Sequence, residues 1–225
     1  TLAQKEGFAE PDPSFDISGQ DAAQKTSILA TLSFFQNSSM ENVYFEGIDK
    51  ISPDDIDYGK QLNFVLKPLS VGMQNKDQIT LGSFPAFVKT DSLLASIQNE
   101  NNAVLVNAEN VGGTMYSGPG AGAKPTANSV LSDIIDIARG KIFDYGKFVQ
   151  QDLSSSFDNF SCDRYLKLQV NDKPGVVAKI STLLAKNNLS IDNLIHKELE
   201  RSDDQIPLVM VLSNSDETTI QDTIK

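Results

Sequence analysis

The sequence predicts an α+β fold in two parts, a mixed or antiparallel sheet with helices followed by a smaller βαββα unit. Within 61–110, short runs rich in Val, Ile, Leu and Phe are separated by Gly, Asn and Asp turns, which is typical of strands. Residues 140–164 have the composition of a linker, and strand and helix periodicities return from Tyr165 to Ile224. We therefore expect a first domain over 1–145, a linker over 146–162 and a second domain over 163–225.

The composition of the 225 residues is that of an ordinary soluble globular protein, with 40% hydrophobic and 22% charged residues. The net charge of −11 argues against nucleic acid or an anionic membrane surface as a partner. No apolar run approaches the ~20 residues that span a bilayer, and no signal peptide is visible. Cys162 is the only cysteine and His196 the only histidine, which excludes an internal disulfide and a thiolate metal cluster. We expect a reducing, cytoplasmic setting and no metal site.

A helix predicted over 20–35 begins with a charged pair on an apolar face. At ~100° per residue, one side of this helix collects Asp21, Lys25, Ile28, Leu32 and Phe35, with Leu29 beside them. We expect that side to be buried, and Asp21 to pair with Lys25 four residues later. Because charged residues are rarely buried unpaired, and because the preceding loop carries Glu10 and Asp16, the pattern indicates a polar site.

The same residues fit a simpler alternative. Ser18-Gly19-Gln20-Asp21 matches the S-x-x-D capping pattern, so that Asp21 serves equally well as a helix cap. In that case the stem of Lys25 extends its charge into solvent. The spacing alone does not decide between a site and a cap.

Two short elements are predicted next. Residues 43–47 have the composition of a strand. Residues 52–59 predict a helix with Ser52 as its cap, Pro53 at its first position and acidic residues in its first turn. We interpret that acidic run as a solvated face.

A glycine-rich segment over 111–124 is predicted to lead into a helix that Pro125 opens. The helix has an apolar face of Ala127, Val130, Leu131, Ile134 and Ala138. A glycine loop before a helix exposes backbone N–H groups to an anion and lets a ligand approach closely, although a tight packing turn is the commoner role. Gly118, Gly120 and Gly122 do not have the spacing of a dinucleotide-binding fingerprint.

The second domain is predicted to have the order βαββα. Leu166, Leu168 and Val170 alternate with polar residues, which indicates a first strand with one buried face. A turn over 171–175 leads to a helix, then to strands over 189–198 and 206–212. Ser215 is expected to cap a last helix.

The motif over 10–25 resembles the catalytic-region signature of the homoserine dehydrogenases, E-P-D-P-x-x-D-x-x-G-x-D-x-A-x-K. Its residues are Glu10-Pro11-Asp12-Pro13, Asp16, Gly19, Asp21-Ala22-Ala23 and Lys25. The glycine loop adds G-x-G-A-G-x-x-P-T-A over 118–127, and Glu46-Gly47-Ile48 matches the E-G-I of the family.

This resemblance implies the NAD- or NADP-linked interconversion of L-aspartate 4-semialdehyde and L-homoserine, in the biosynthesis of threonine, methionine and isoleucine. It implies that Lys25 donates a proton to the carbonyl oxygen and that Asp21 orients Lys25. Glu10 is implied to hold the polar groups of the substrate, with Asp16 nearby.

The resemblance also implies that the glycine loop leans over the nicotinamide cofactor, with backbone contacts at Gly120 and Gly122. The family's nucleotide-binding domain, its second signature lysine and its loop for a monovalent cation would all precede Thr1. We therefore expect a C-terminal part of the enzyme that does not turn over alone. The family further implies a homo-oligomer, a dimer or a tetramer.

The second domain resembles an ACT domain, the small ferredoxin-like amino-acid sensor. Its D-K-P-G-V-V-A-K-I segment over 172–180 matches the usual strand-to-helix turn. The resemblance implies threonine as an effector, bound at a turn that contains Asn171, Asp172, Gly175 and Val176. The family's fourth strand has no counterpart here, so we expect a truncated C-terminus. A stand-alone amino-acid-binding regulator without catalysis would explain this domain equally well.

Overall fold

The computed structural model describes residues 12–75, 78–141, 157, 160–196 and 205–224. The first part of the chain contains α1 (Ser14–Ile17), α2 (Gln20–Phe34), β1 (Tyr44–Phe45), α3 (Pro53–Gln61), β2 (Phe64–Asn75), β3 (Gln78–Lys89), β4 (Asn101–Ala108), β5 (Gly112–Pro119) and α4 (Ala123–Ala138). The second part contains β6 (Cys162–Asn171), α5 (Val176–Lys186), β7 (Ile191–His196), β8 (Gln205–Ser215) and α6 (Glu217–Ile224). Single 3₁₀ turns lie at Met40–Asn42 and Leu93–Ser96.

The main sheet of the first part is mixed and has the order β1-β3-β2. β2 and β3 form a long antiparallel pair whose register runs from Phe64 opposite Lys89 to Asn75 opposite Gln78. β1 lies parallel to β3 on the other side, with Tyr44 opposite Gly82. The predicted mixed α+β architecture is therefore confirmed.

Helix α2 packs against this sheet through its small residues. Ala23 is 0% exposed and Ala30 is 6% exposed, and they share a core with Val43, Ile79 and Leu81. Small side chains at this spacing let the helix axis approach the sheet closely.

The predicted buried side of α2 is wrong. Ile28, Leu32 and Phe35 are 60%, 44% and 55% exposed, and the Lys25 side chain is 63% exposed. The small residues occupy the side of the helix that contacts the sheet, so the larger apolar residues lie outside that contact.

The strands β4 and β5 form a separate two-stranded antiparallel sheet. β5 occupies residues that the sequence assigned to a glycine loop, so that loop is shorter than predicted. The helix α4 begins at Ala123, two residues before the predicted Pro125. Its apolar face is exposed, with Val130, Leu131 and Ile134 each more than half accessible.

The second part has the predicted βαββα order, and its sheet has the order β6-β8-β7. One face of β8 packs against the two helices of this part. The residues of this core are Leu184, Leu189, Leu208, Met210, Leu212 and Ile220. The predicted Ser215 cap is wrong: the Asp216 carboxylate accepts the Thr219 N–H at 2.8 Å and fills that role for α6.

The opposite face of this sheet is buried as well. Val209 is 0% exposed and Val211 is 8% exposed. They lie opposite Lys167 and Tyr165 of β6, and residues directly opposite each other share a face. The Tyr165 ring contacts the first part, at 4.7 Å between its centroid and that of Phe87. The expectation that β6 buries one face only is therefore wrong.

A buried carboxylate of α3 joins the two parts. Asp55 is 3% exposed. Its Oδ1 lies 2.5 Å from the Lys167 ammonium and accepts the Tyr165 hydroxyl at 2.8 Å. Its Oδ2 accepts the N–H of Ser52 at 2.9 Å, and Ser52 caps the helix as predicted. The acidic run of this helix is thus not wholly solvated, because one of its members faces the second part.

An aromatic cluster includes two residues of the predicted linker, Phe157 and Phe160. The Phe157 ring is 8% exposed and stacks on Tyr44 of β1, with 4.3 Å between the ring centroids. Phe84 and Phe160 pack beside it. A Cβ at Gly82 would lie 2.4 Å from the Phe157 ring, so the missing side chain makes room for it. The predicted linker therefore contributes a buried residue to the first part.

The burial and hydrogen bonds of Asp55 predict a specific loss of stability in acid. Burial raises the pKa of this carboxyl, but hydrogen bonds from Lys167, Ser52 and Tyr165 outweigh it and hold the pKa at about 2. The ordinary value is 3.8, so the stabilisation is complete above about pH 4 and is lost as the pH falls towards 2. We expect the free energy of unfolding to fall by about 2 kcal/mol from this group.

Urea unfolding at pH 5 and pH 2.5 measures this effect. Asp55→Asn should be less stable at pH 5 and should lack this part of the pH dependence. Asp57→Asn is the matched control, since Asp57 lies on the same helix and its side chain is 66% exposed. Equal pH dependence in the two variants would contradict the assignment.

Candidate functional site

The candidate site lies where α1 turns into α2. The turn is made by Gly19, which has φ +83° and is the N-cap residue of α2. Gly19 has no side chain with which to cap the helix, and the Ser18 hydroxyl donates to the Phe15 carbonyl at 3.1 Å and accepts the N–H of Gln20 at 3.5 Å. The capping alternative is right in placing the charge of Lys25 in solvent, since this side chain is 63% exposed, but it is wrong for Asp21, whose carboxylate is available for another partner.

That partner is Lys25, as the spacing predicts. The Lys25 ammonium donates to Asp21 Oδ2 at 2.6 Å. The side chains are 63% and 32% exposed, so the pair faces solvent rather than the core. An exposed i,i+4 pair contributes only about 0.3–0.5 kcal/mol to stability. The fold does not depend on this pair, which leaves its two charges accessible to a small ligand.

A close crossing of two chain segments fixes the start of α2. A Cβ at Gly47 would lie 2.3 Å from the Ile17 carbonyl oxygen, and a Cβ at Gly19 would lie 2.8 Å from the Glu46 carbonyl oxygen. The N–H of Ile48 donates to the Ile17 carbonyl at 2.9 Å across the same crossing. Only glycine fits at both positions, so the α1–α2 turn and residues 46–48 are held against each other.

Of the two predicted substrate-binding residues, the structure describes Asp16 but not Glu10. Asp16 is exposed in α1 and its carbonyl accepts the Gly19 N–H at 3.2 Å, which places it at the same corner as Asp21. Glu10 lies outside the described residues. Asp12, also in this corner, accepts the Ser14 N–H at 3.1 Å, and this backbone hydrogen bond lowers the pKa of its carboxyl.

The two predicted cofactor-binding glycines have different structural roles. A Cβ at Gly120 would lie 2.0 Å from the Asn102 amide nitrogen, and the Gly120 N–H donates to the Glu100 carbonyl at 2.8 Å. Packing against β4 therefore explains Gly120. Gly122 has φ +112° and is the N-cap residue of α4, where the first N–H groups of a helix lack intrahelical acceptors. Among the described residues, no hydrogen bond or ion pair joins this loop to the Asp21–Lys25 pair.

The predicted regulatory residues lie together at one end of the second sheet. Asn171 ends β6, Asp172 is exposed, and Val176 is the first residue of α5. Gly175 has φ +90° and is the N-cap residue of this helix. A Cβ there would meet no atom within 4 Å, so the turn needs glycine for its backbone conformation rather than for space.

Three residues of the interface between the two parts were missed from the sequence: Asp55, Lys167 and Tyr165. The capping pattern Ser52-Pro53-Asp54-Asp55 marks Asp55 as a helix-start residue, which is also its local role. Nothing in the local pattern indicates that its carboxylate also meets a strand more than a hundred residues later.

Other candidate chemistry is limited. Within the described part of the chain, no group of three His, Cys, Asp or Glu side chains is arranged to hold a metal ion. None of its helices is long and apolar enough to cross a membrane. Cys162 is partly buried at the start of β6, and burial raises the pKa of its thiol, which disfavours the nucleophilic thiolate.

Comparison with known families matches both parts of the chain. Residues 1–135 match the family described as homoserine dehydrogenase, and residues 164–225 match the ACT domain. The first match includes the α1–α2 corner and the glycine loop, and the second begins within β6.

Individual relatives extend over nearly the whole chain. A homoserine dehydrogenase of Pseudomonas aeruginosa is 35% identical over 99% of this chain and 54% of its own length. One of Helicobacter pylori is 39% identical over 89% of this chain and 48% of its own length. The crystal structure of a homoserine dehydrogenase from Thiobacillus denitrificans superposes with a TM-score of 0.88 at 30% identity, covering 99% of this chain and 52% of that one. The chain thus spans about half the length of the relatives it matches.

Proposed function

The chain belongs to the homoserine dehydrogenase family, and we propose that it supplies the substrate-binding and proton-transfer half of that family's active site, regulated by its ACT domain. The observation that carries this proposal is the exposed Asp21–Lys25 pair, 2.6 Å apart, at a helix start that two glycines hold in place. The reaction is the NAD(P)-linked interconversion of L-aspartate 4-semialdehyde and L-homoserine. It serves the biosynthesis of threonine, methionine and isoleucine.

The proton of this reaction is assigned to Lys25. When homoserine is oxidised, its hydroxyl carbon loses a hydride and its hydroxyl oxygen loses a proton, which the neutral Lys25 amine accepts. In the reducing direction the carbonyl carbon gains the hydride, and the Lys25 ammonium returns the proton to the oxygen. Asp21 accepts a hydrogen bond from this ammonium, so it orients the group.

The polar groups of the substrate are assigned to Glu10 and Asp16. An amino acid substrate carries an ammonium group, and carboxylates are its natural partners. Asp16 supports the assignment by its exposure at the corner where α1 meets α2.

The cofactor of the proposed reaction is NAD or NADP, which accepts or supplies the hydride when bound. Support for a contact with one edge of such a group comes from the start of α4. Gly122, at φ +112°, is the N-cap residue of this helix, and the first N–H groups of a helix lack intrahelical acceptors and can donate to an anion such as a phosphate. Gly120 shapes the same turn through its contact with Asn102.

Replacing Lys25 by methionine tests the proton-transfer role in the full-length polypeptide that carries this chain. General acid–base catalysis contributes about 10²- to 10⁴-fold, so kcat for homoserine oxidation should fall by that order. Lys60→Met is the matched control, because Lys60 forms an exposed pair with Asp57 at 3.1 Å on α3. Both variants should keep the thermal unfolding midpoint of the wild type.

Retained activity in Lys25→Met would remove the assignment. Absence of homoserine-dependent NAD(P) reduction in the wild-type full-length polypeptide would instead favour an amino-acid-binding regulator without catalysis.

The ACT domain is proposed to bind threonine at the turn of Asn171, Asp172, Gly175 and Val176. Titration calorimetry of the full-length polypeptide with threonine should give heat of binding. Gly175→Ala strains a residue at φ +90° and should weaken that binding about tenfold or more. Gly140→Ala is the control, since Gly140 has φ +69° and equally open surroundings. No heat with the wild type would count against threonine as the effector.

A homo-oligomer, a dimer or a tetramer, is part of the proposal, as is a cytoplasmic location. Support for assembly comes from apolar side chains of the β4–β5 sheet, since Val104, Val106 and Tyr116 are 42%, 46% and 66% exposed. The location is supported by the lone, partly buried cysteine. Sedimentation equilibrium should give a mass of at least two full-length chains, and a monomer at micromolar concentration would contradict the assembly.

A further inference from the structure

The buried carboxylate of α3 holds both the second sheet and the first turn of its own helix. Lys167 contacts Asp55 Oδ1 at 2.5 Å and also donates to the Ser52 hydroxyl at 3.1 Å. The Ser52 hydroxyl in turn donates to Asp55 Oδ2 at 2.6 Å. Lys167 of the ACT domain therefore adds a contact to Ser52, the residue at which the preceding loop ends, beside the hydrogen bonds that join Ser52 to Asp55 within their own helix.

Short contacts continue from Ser52 to the candidate site. The N–H of Ile51 donates to the Ile48 carbonyl at 3.1 Å, and the N–H of Ile48 donates to the Ile17 carbonyl at 2.9 Å. The glycine crossing at Gly19 and Gly47 lies directly beside this bond. Ile48 is 44% exposed, so this path runs through backbone hydrogen bonds and the glycine crossing rather than through packed side chains.

The site helix begins at the far end of these contacts. The Gly19 carbonyl accepts the N–H of Ala23 at 3.0 Å, which starts the hydrogen-bond ladder of α2. Asp21 and Lys25 lie in the first two turns of that helix. The crossing is therefore one of two contacts that set where these charges lie, the other being the packing of Ala23 and Ala30 on the main sheet.

We propose that Asp55 is a positioning residue for the reaction: through its contacts with Lys167 and Tyr165, the ACT domain holds the 46–52 loop, and this loop holds the helix that carries Asp21 and Lys25. This inference rests on the proposed function. It makes the docked ACT sheet a structural part of the active site, in addition to any ligand that the domain binds at its Gly175 turn.

The kinetic consequence is specific. Misplacement of a reacting group by about 1 Å costs up to 10²-fold in rate. Loss of the Asp55–Lys167 pair should therefore lower kcat for homoserine oxidation on the order of tenfold. The KM for NAD(P) should stay within about twofold, because the proposed cofactor contact at Gly122 lies outside these contacts.

The experiment compares four forms of the full-length polypeptide: wild type, Asp55→Asn, Asp57→Asn and Lys167→Arg. Steady-state kinetics are measured on folded protein, at least 15 °C below each unfolding midpoint. Asp55→Asn should show the selective loss of kcat. Asp57→Asn should behave as wild type, since its side chain is 66% exposed on the same helix. Lys167→Arg keeps a cationic hydrogen-bond donor opposite the carboxylate and should retain more of the wild-type kcat than Asp55→Asn.

Each outcome decides the question. Should Asp55→Asn fail to fold, Lys167→Gln replaces it, because Asp55 then keeps its hydrogen bonds from Ser52 and Tyr165. A kcat equal to that of the wild type in the folded variant overturns the proposal, as does an equal loss in Asp57→Asn. An inactive wild type refutes the proposed function instead, and the two failures are thereby distinguished.

Discussion

The buried ion pair between Asp55 and Lys167 determines how the two parts of the chain are joined. Removing one partner of such a pair costs about 3–5 kcal/mol, whereas replacing both by apolar residues is often neutral. Its contribution is therefore orientation more than net stability. Tyr165 and Ser52 hydrogen-bond to the same pair, and the Tyr165 ring packs on Phe87, so the ACT sheet is fixed on the first part by directional contacts as well as by apolar area.

Features that depend on neighbouring residues were predictable. The Ser52 cap, the βαββα order and the Asp21–Lys25 pair all arise within a few residues of sequence, and the structure contains each of them. The full length of β2 and β3 was not predictable in this way, because each strand contains a proline. Pro68 lies directly opposite Pro85. Neither has an N–H to contribute at that position, so the two face each other where the ladder needs none.

Features set by tertiary packing were missed. The large apolar residues of α2 form a stripe along one side of the helix, which predicted that this side is buried. The sheet instead packs against Ala23 and Ala30, because only small side chains let the helix come close to the strands. Asp55 has the sequence context of an exposed acidic helix start, and only a lysine of β6 distinguishes it from Asp54 and Asp57. The candidate site itself was identified through a family motif together with helical spacing. The close approach of the two chain segments at Gly19 and Gly47 is visible only in the folded structure.

The order of strands in the second sheet has a consequence for synthesis on the ribosome. β8 is the last of the three strands in sequence, but it lies between β6 and β7, which share no ladder with each other. Until β8 leaves the exit tunnel, the two earlier strands lack the strand with which both of them pair in the folded sheet. Domains generally fold as units during translation. The ACT domain therefore cannot complete its sheet until nearly all of it has been synthesised. The strands of the mixed sheet in the first part are available well before that point.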